Sequence, residues 1–198
     1  MNQIAAYFDN AATNYQHASE VFPWHWLRSQ EKSAVLDLLP PVAGKHALEL
    51  GSGTGYYTRT LLDAGVTHVT AVDISQSMLA QLPHERVKTV VCDAVSYQPE
   101  TTHDLFCAFG ILEFLPKPEA LLESVSRYAK LGSTFTVLYP RRNIWGQFYR
   151  FYHRTHGLRI SLFKDSFFER IAAQHGWRVQ ARKRVFPFTT VIQLERVA

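Results

Sequence analysis

Three glycines at alternate positions, Gly51, Gly53 and Gly55, follow an acidic residue, Glu49, in the stretch ALELGSGTGYYT at 47–58. Glycine lets a backbone turn through positive φ and come close to a ligand. A phosphate-cradling loop needs a Lys and then Ser or Thr after its last glycine. Tyr56 and Tyr57 stand there, so that chemistry is excluded. A dinucleotide loop wants a further glycine at position 56, and Tyr56 weakens that reading. A third ligand class is an adenosyl group joined to an amino acid. It brings no pyrophosphate, and Glu49 can face its cationic amino-acid end.

Asp73 stands 22 positions after Gly51, at the end of HVTAVD. A carboxylate there can accept from both hydroxyls of a ribose, a feature that a nicotinamide enzyme would share. Asp93 is followed by Ala94. A carboxylate next to a free backbone N–H suits an adenine edge, with its amino group and ring nitrogen. The third loop makes the set more specific than the glycines alone.

These residues must be positioned by the elements before them. HALEL (46–50), HVTAVD (68–73), VKTVVCD (87–93), DLFCAFG (104–110) and STFTVLY (133–139) read as strands. Helices follow from near Tyr56 to a cap at Gly65, from an N-cap at Ser75, over 117–130, and over 164–176. WRVQARKRV and TTVIQLERV form a closing hairpin around Pro187. Such alternation predicts one α/β domain: a Rossmann-like, doubly wound, mostly parallel seven-stranded sheet with an antiparallel edge and helices on both faces. Ligands then bind beyond the carboxyl ends of the strands, where every loop named above lies.

ALELGSGTGYYTRTL, VTAVDISQSML, VVCDAV and DLFCAFGILEFLPKPEALL, in this order and spacing, resemble the successive motifs of class I S-adenosylmethionine-dependent methyltransferases of the small-molecule type. The resemblance implies S-adenosyl-L-methionine as cofactor and S-adenosyl-L-homocysteine as product. It places Glu49, Gly51, Ser52, Gly53 and Gly55 along the methionine moiety and Asp73 on the ribose. Ile74 packs on the adenine, and Asp93 and Ala94 hold it. Phe109 and Gly110 come beside the sulfonium. Residues 1–40 form an N-terminal lid, from which Tyr15 contacts the methionine end; 41–140 are the cofactor-binding core.

The acceptor end carries no fixed motif, because the protein mainly positions the nucleophile and excludes water. Aromatic-rich flanks supply candidates. Tyr7 and Trp24 lie in the N-terminal segment, and Trp145, Tyr149 and Tyr152 follow helical spacing in an insertion at 141–163, read as a substrate cap. Gly110 and Glu113 follow the fourth strand. Base candidates are His17, His25 and His153. His153 and His156 read as a solvated pair, since no spaced set of metal ligands accompanies them. The closing helix and hairpin occupy 164–198.

Composition sets the remaining bounds. The 198 residues, 46% hydrophobic and 19% charged, are an ordinary globular balance. No run is apolar enough for a membrane span, and MNQIAAYFDNAATNYQ has no secretory-signal pattern. Cys92 and Cys107 are expected as reduced thiols in a cytoplasmic protein. The net charge is +4, with basic residues crowded between Arg141 and Arg184 against only Asp165 and Glu169. That leaves methylation of RNA or protein through this region as the alternative to a small aromatic or apolar acceptor. The place after the fourth strand reads FGIL, unlike the Asp/Asn-Pro-Pro-Phe/Tyr of enzymes that methylate base amino groups. A cofactor-binding protein without transfer activity is a further alternative.

Overall fold

The computed structural model describes residues 3–20, 24–82 and 85–198, and only the backbone of residue 3 and residues 13–20. Strands β1 (His46–Leu50), β2 (His68–Asp73), β3 (Val87–Val91), β4 (Leu105–Phe109) and β5 (Thr134–Pro140) are parallel. The closing hairpin, β6 (Trp177–Val185) and β7 (Thr189–Arg196), supplies the antiparallel edge, with β7 seated between β5 and β6. The order is β3-β2-β1-β4-β5-β7-β6. It reverses between β1 and β4, so a crevice opens beyond the carboxyl ends of those two strands.

All five residues of β4 are buried, as a central strand covered on both faces requires. Side chains alternate across the sheet. Leu105 and Cys107 join one core with Ala47, Val69 and Leu61, while Phe106 and Ala108 join the other with Leu48, Phe135 and Trp177. Helices α3 (Tyr56–Asp63), α4 (Gln76–Leu79), α5 (Glu119–Ser126) and α7 (Asp165–Gln174) form the crossovers. The Ser75 hydroxyl caps α4, accepting from the Met78 N–H at 3.1 Å. Helix α5 is shorter than the stretch expected at 117–130, and its Arg127 C-cap satisfies the last turn through Ser124 and Val125.

Ahead of the sheet lie α1 (Gln3–Glu20) and α2 (Trp24–Leu38). Leu27, Ala34 and Val35 bury the inner face of α2. Helix α1 is tied to α4, since the Asp9 carboxylate accepts from the Ser75 hydroxyl at 2.6 Å and Gln81 Nε2 donates to the Ala12 carbonyl at 2.9 Å. The insertion after β5 forms α6 (Ile144–Thr155), capped by Asn143, whose Oδ1 accepts from the Gly146 N–H at 2.8 Å. Among the described residues no helix is long and apolar enough to cross a membrane.

Candidate active site

The β1–α3 loop is held open by its neighbours. The Val72 carbonyl accepts from the N–H groups of Gly51 and Ser52 at 2.8 and 3.1 Å. Asp73 then braces the loop with both oxygens: Oδ2 accepts from the Gly53 N–H at 2.8 Å and Oδ1 from the Ser75 N–H at 2.9 Å. The three glycines have different reasons. Gly51 has φ +78°, and a Cβ there would stand 2.6 Å from the Ile111 side chain. Gly55, at φ +83°, would place a Cβ 2.8 Å from Leu82, so it serves close packing of loop and helix. Of the three, Gly53 alone faces open space, with nothing within 4 Å of where a Cβ would stand.

A cavity of about 210 Å³ lies over this loop. Its lining takes Gly51, Ser52 and Gly53 from the loop after β1, and Asp73 and Ile74 from the end of β2. Asp93 and Ala94 follow β3, and Phe109 and Gly110 end β4. Of the residues expected around the cofactor whose side chains are described, all but Glu49 and Gly55 therefore line one cavity, each from the loop assigned to it. Asp93 Oδ1 accepts from the Val95 N–H at 2.8 Å, which orients the carboxylate. Burial raises the pKa of Asp73, while its N–H donors from Ser75 and Gly53 oppose the shift.

Glu49 differs from the expectation. Its carboxyl is buried beneath the loop, away from the cavity lining, and accepts from the Thr58 hydroxyl at 2.6 Å. Burial pushes its pKa to about 8, with Thr58 pulling the other way and Asp73 adding to the rise. Burial thus favours its protonated form, bonded to Thr58. Gly55 is also absent from the lining, because its role is packing against Leu82. The side chain of Tyr15 lies outside the described residues, as does that of His17.

A second cavity, about 230 Å³, adjoins the first; Phe8, Arg28, Gly110 and Phe114 line both. Tyr7, Trp24, Tyr149 and Tyr152 line it together with Glu113, Glu31 and His153. Tyr149 stacks on Phe188 with ring centroids 4.7 Å apart, and Trp24 meets Tyr149 and Tyr152 at 6.1 and 6.0 Å. Trp145 points elsewhere: it is 49% exposed and touches Phe148 and Phe186. His25 is exposed and lines neither cavity.

His153 is half-buried, not solvated as its spacing from His156 implied; α6 turns it inward while His156 stays exposed. Burial lowers its pKa to about 4, so the ring is neutral at pH 7. Glu113 is 4% exposed, and burial pushes its pKa to about 7. Glu113 Oε2 and His153 Nδ1 are buried atoms without a protein partner, and both residues line this cavity. Unpartnered buried polar atoms are costly, and a ligand with donor groups relieves that cost.

Residues 48–137 match the family model described as a methyltransferase domain. This stretch of the chain is a methyltransferase domain. It is 28% identical over 167 residues to a demethylmenaquinone methyltransferase of Tropheryma whipplei, covering 77% of this chain and 66% of that one. The chain spans about half to two thirds of the length of the first curated relatives it matches. In fold it is similar to the magnesium protoporphyrin IX methyltransferase of Synechocystis PCC 6803 solved with S-adenosylhomocysteine, with a TM-score of 0.79 at 14% identity, covering 98% of both chains. It is also similar to the 1,6-didemethyltoxoflavin-N1-methyltransferase of Burkholderia thailandensis, with a TM-score of 0.73 at 18% identity, covering 99% of this chain and 90% of that one.

The first cavity fits S-adenosylmethionine, the cofactor expected from the glycine loop and the two carboxylates beyond it. Gly53 leaves room for a ligand, and Ser52 Oγ is buried without a protein partner. Each oxygen of Asp73 takes one backbone N–H and keeps a lone pair for a ligand hydroxyl.

Sequence reasoning passed over Arg28, Glu31 and Thr189. Glu31 is 3% exposed, accepts from the Tyr57 hydroxyl at 3.1 Å and stands 3.8 Å from Arg28. A signal existed: positions 27, 31, 34 and 35 share one helix face, so Glu31 sits among apolar residues where a carboxylate is out of place. Thr189 carried no such signal, because only the hairpin's docking on β5 brings it to the cavity.

Proposed function

We propose that this chain transfers a methyl group from S-adenosylmethionine to a small aromatic or apolar metabolite held in the second cavity. The observation that carries the reading is the pair of adjoining cavities meeting at Gly110, one lined by the cofactor loops and the other aromatic with buried carboxyls. The activities named for similar proteins, a demethylmenaquinone and a porphyrin methyltransferase, support a ring-bearing acceptor.

The bound cofactor supplies a methyl group already activated for displacement. What remains for the protein is placement, exclusion of water and removal of a proton. Asp73, Ile74, Asp93 and Ala94 hold the nucleoside end; Gly51, Ser52 and Gly53 lie along the amino-acid end. Trp24, Tyr149 and Tyr152 hold the acceptor ring. Glu113 Oε2 accepts the proton of the acceptor's O–H or N–H, and a carboxyl with pKa about 7 is matched to that task at neutral pH. Neutral His153 and Thr189 receive or donate further hydrogen bonds.

Calorimetric titration with S-adenosylmethionine and, separately, NADH tests the cofactor assignment; binding of the first alone is expected. Ring compounds bearing a hydroxyl or amino group are then screened for methyl transfer. Binding of NADH instead would overturn the reading.

A further inference from the structure

Helix α6 wears its apolar face outward. Ile144, Phe148 and Phe151, at spacings of four and three, share one side of the helix and are 66%, 61% and 67% exposed. Around the helix, Trp145 reaches Phe148 at 6.1 Å and Phe186 at 6.2 Å, and Phe186 reaches Trp26 at 6.3 Å. The aromatic patch therefore runs from α6 across the hairpin turn to α2. A contiguous exposed apolar patch on a globular domain marks a contact surface.

The charge beside it has one sign. Residues 124–164 contain no Asp or Glu. Arg142, Arg150 and Arg154 are exposed, and no ion pair joins them to an acid among the described residues. The cations of β6 are different: Arg182 and Arg184 meet Asp165, Arg178 meets Glu195, and Lys183 meets Asp37. Arg150 and Arg154 are thus unneutralised cations on the aromatic helix itself, with Arg142 just ahead of it.

We infer that α6 docks this protein onto an anionic lipid surface, with Ile144, Phe148 and Phe151 in the acyl boundary and Arg150 and Arg154 at the headgroups. An amphipathic helix with aromatic residues on one face and arginines flanking it is the composition that lies in the plane of a bilayer interface. A second copy fits less well, because a two-fold contact through this face would bring the unpaired arginines of both copies together. The inner side of the same helix, with Tyr149, Tyr152 and His153, lines the second cavity. Docking would therefore set that chamber against the lipid, and a lipid-soluble acceptor would have a short path to it. This last consequence rests on the proposed function; lipid binding itself does not.

The test is co-sedimentation of the full chain with vesicles of phosphatidylcholine alone and of phosphatidylcholine with phosphatidylglycerol. The expected result is binding to the mixed vesicles that weakens with added salt and drops about tenfold or more in the double variant Phe148→Ser/Phe151→Ser. The double variant Arg150→Glu/Arg154→Glu should lose the preference for anionic lipid. Titration with S-adenosylhomocysteine should be unchanged in both, because none of these four residues lines the cofactor cavity; this reports retained folding and separates the surface from the active-site reading. No binding to either vesicle, or binding that neither double variant alters, would overturn the inference. So would self-association, or capture of a partner protein, that Phe148→Ser/Phe151→Ser abolishes while vesicles are ignored.

Discussion

Asp73→Ala removes a carboxylate with two structural bonds and two places left for a ligand. The structural bonds are those from the N–H groups of Gly53 and Ser75, at 2.8 and 2.9 Å. Stranding a buried donor costs about 1–3 kcal/mol; Gly53 borders the cavity, so the lower end applies to it, whereas Ser75 is fully buried and takes the whole range. The variant should lose about 2–4 kcal/mol of stability and melt about 4–16 °C lower for a chain of this size. The protein stays folded, because neither core contains Asp73. Binding should suffer more. Two ribose hydroxyls donating to a carboxylate are worth about 1.5–3 kcal/mol each, which makes about 10²–10⁴ in Kd. Calorimetry with S-adenosylhomocysteine, on samples whose far-ultraviolet dichroism matches wild type, reads this directly. Asp73→Asn is an intermediate case, since its amide nitrogen cannot accept from an N–H and one of the two braces is lost. A folded Asp73→Ala protein that binds within about threefold of wild type, under 1 kcal/mol, would refute the assignment of this carboxylate to the ribose.

Further expectations concern the other carboxyls and the packed glycine. With a confirmed acceptor, the wild-type rate should rise with pH up to about 7 as Glu113 deprotonates; Glu113→Gln should lose about 10²–10⁴ in kcat and that rising limb, and a variant that keeps both would remove Glu113 as the base. Glu49 holds its proton to about pH 8 in the folded protein against an ordinary value near 4.5. Between those values the folded state binds more protons than the unfolded state, so this group's stabilisation is full below 4.5 and lost as pH rises towards 8. Urea midpoints of Glu49→Gln should consequently fall less over that window than those of wild type. Gly55→Ala must relieve a Cβ placed 2.8 Å from Leu82 at φ +83°; a loss of about 1–3 kcal/mol is expected in denaturant unfolding.

The cofactor half of the site was largely legible because it is local. Each of its loops directly follows a strand, and a parallel sheet sets the carboxyl ends of all such strands along one edge. Asp73, Asp93 and Gly110 needed only their place in the alternation to be brought together. The acceptor half was not. His153 read as solvated because spacing along a helix shows which residues share a face, not which way that face turns. Trp145, Tyr149 and Tyr152 separated for the same reason, with Tyr149 stacked on Phe188 and Trp145 left half exposed.

Glu49 and Glu31 show where the boundary lies. By itself the sequence determined the order of strands and helices, the ligand class of the glycine loop and the residues at strand ends, since these depend on propensity, periodicity and backbone sterics within short windows. Only the tertiary structure decided that Glu49 is a buried strut bonded to Thr58, that Glu31, Glu113 and Thr189 share a chamber, and that the aromatic face of α6 looks outward. Those outcomes depend on burial, and burial is created when segments distant in the chain pack together and shut out water.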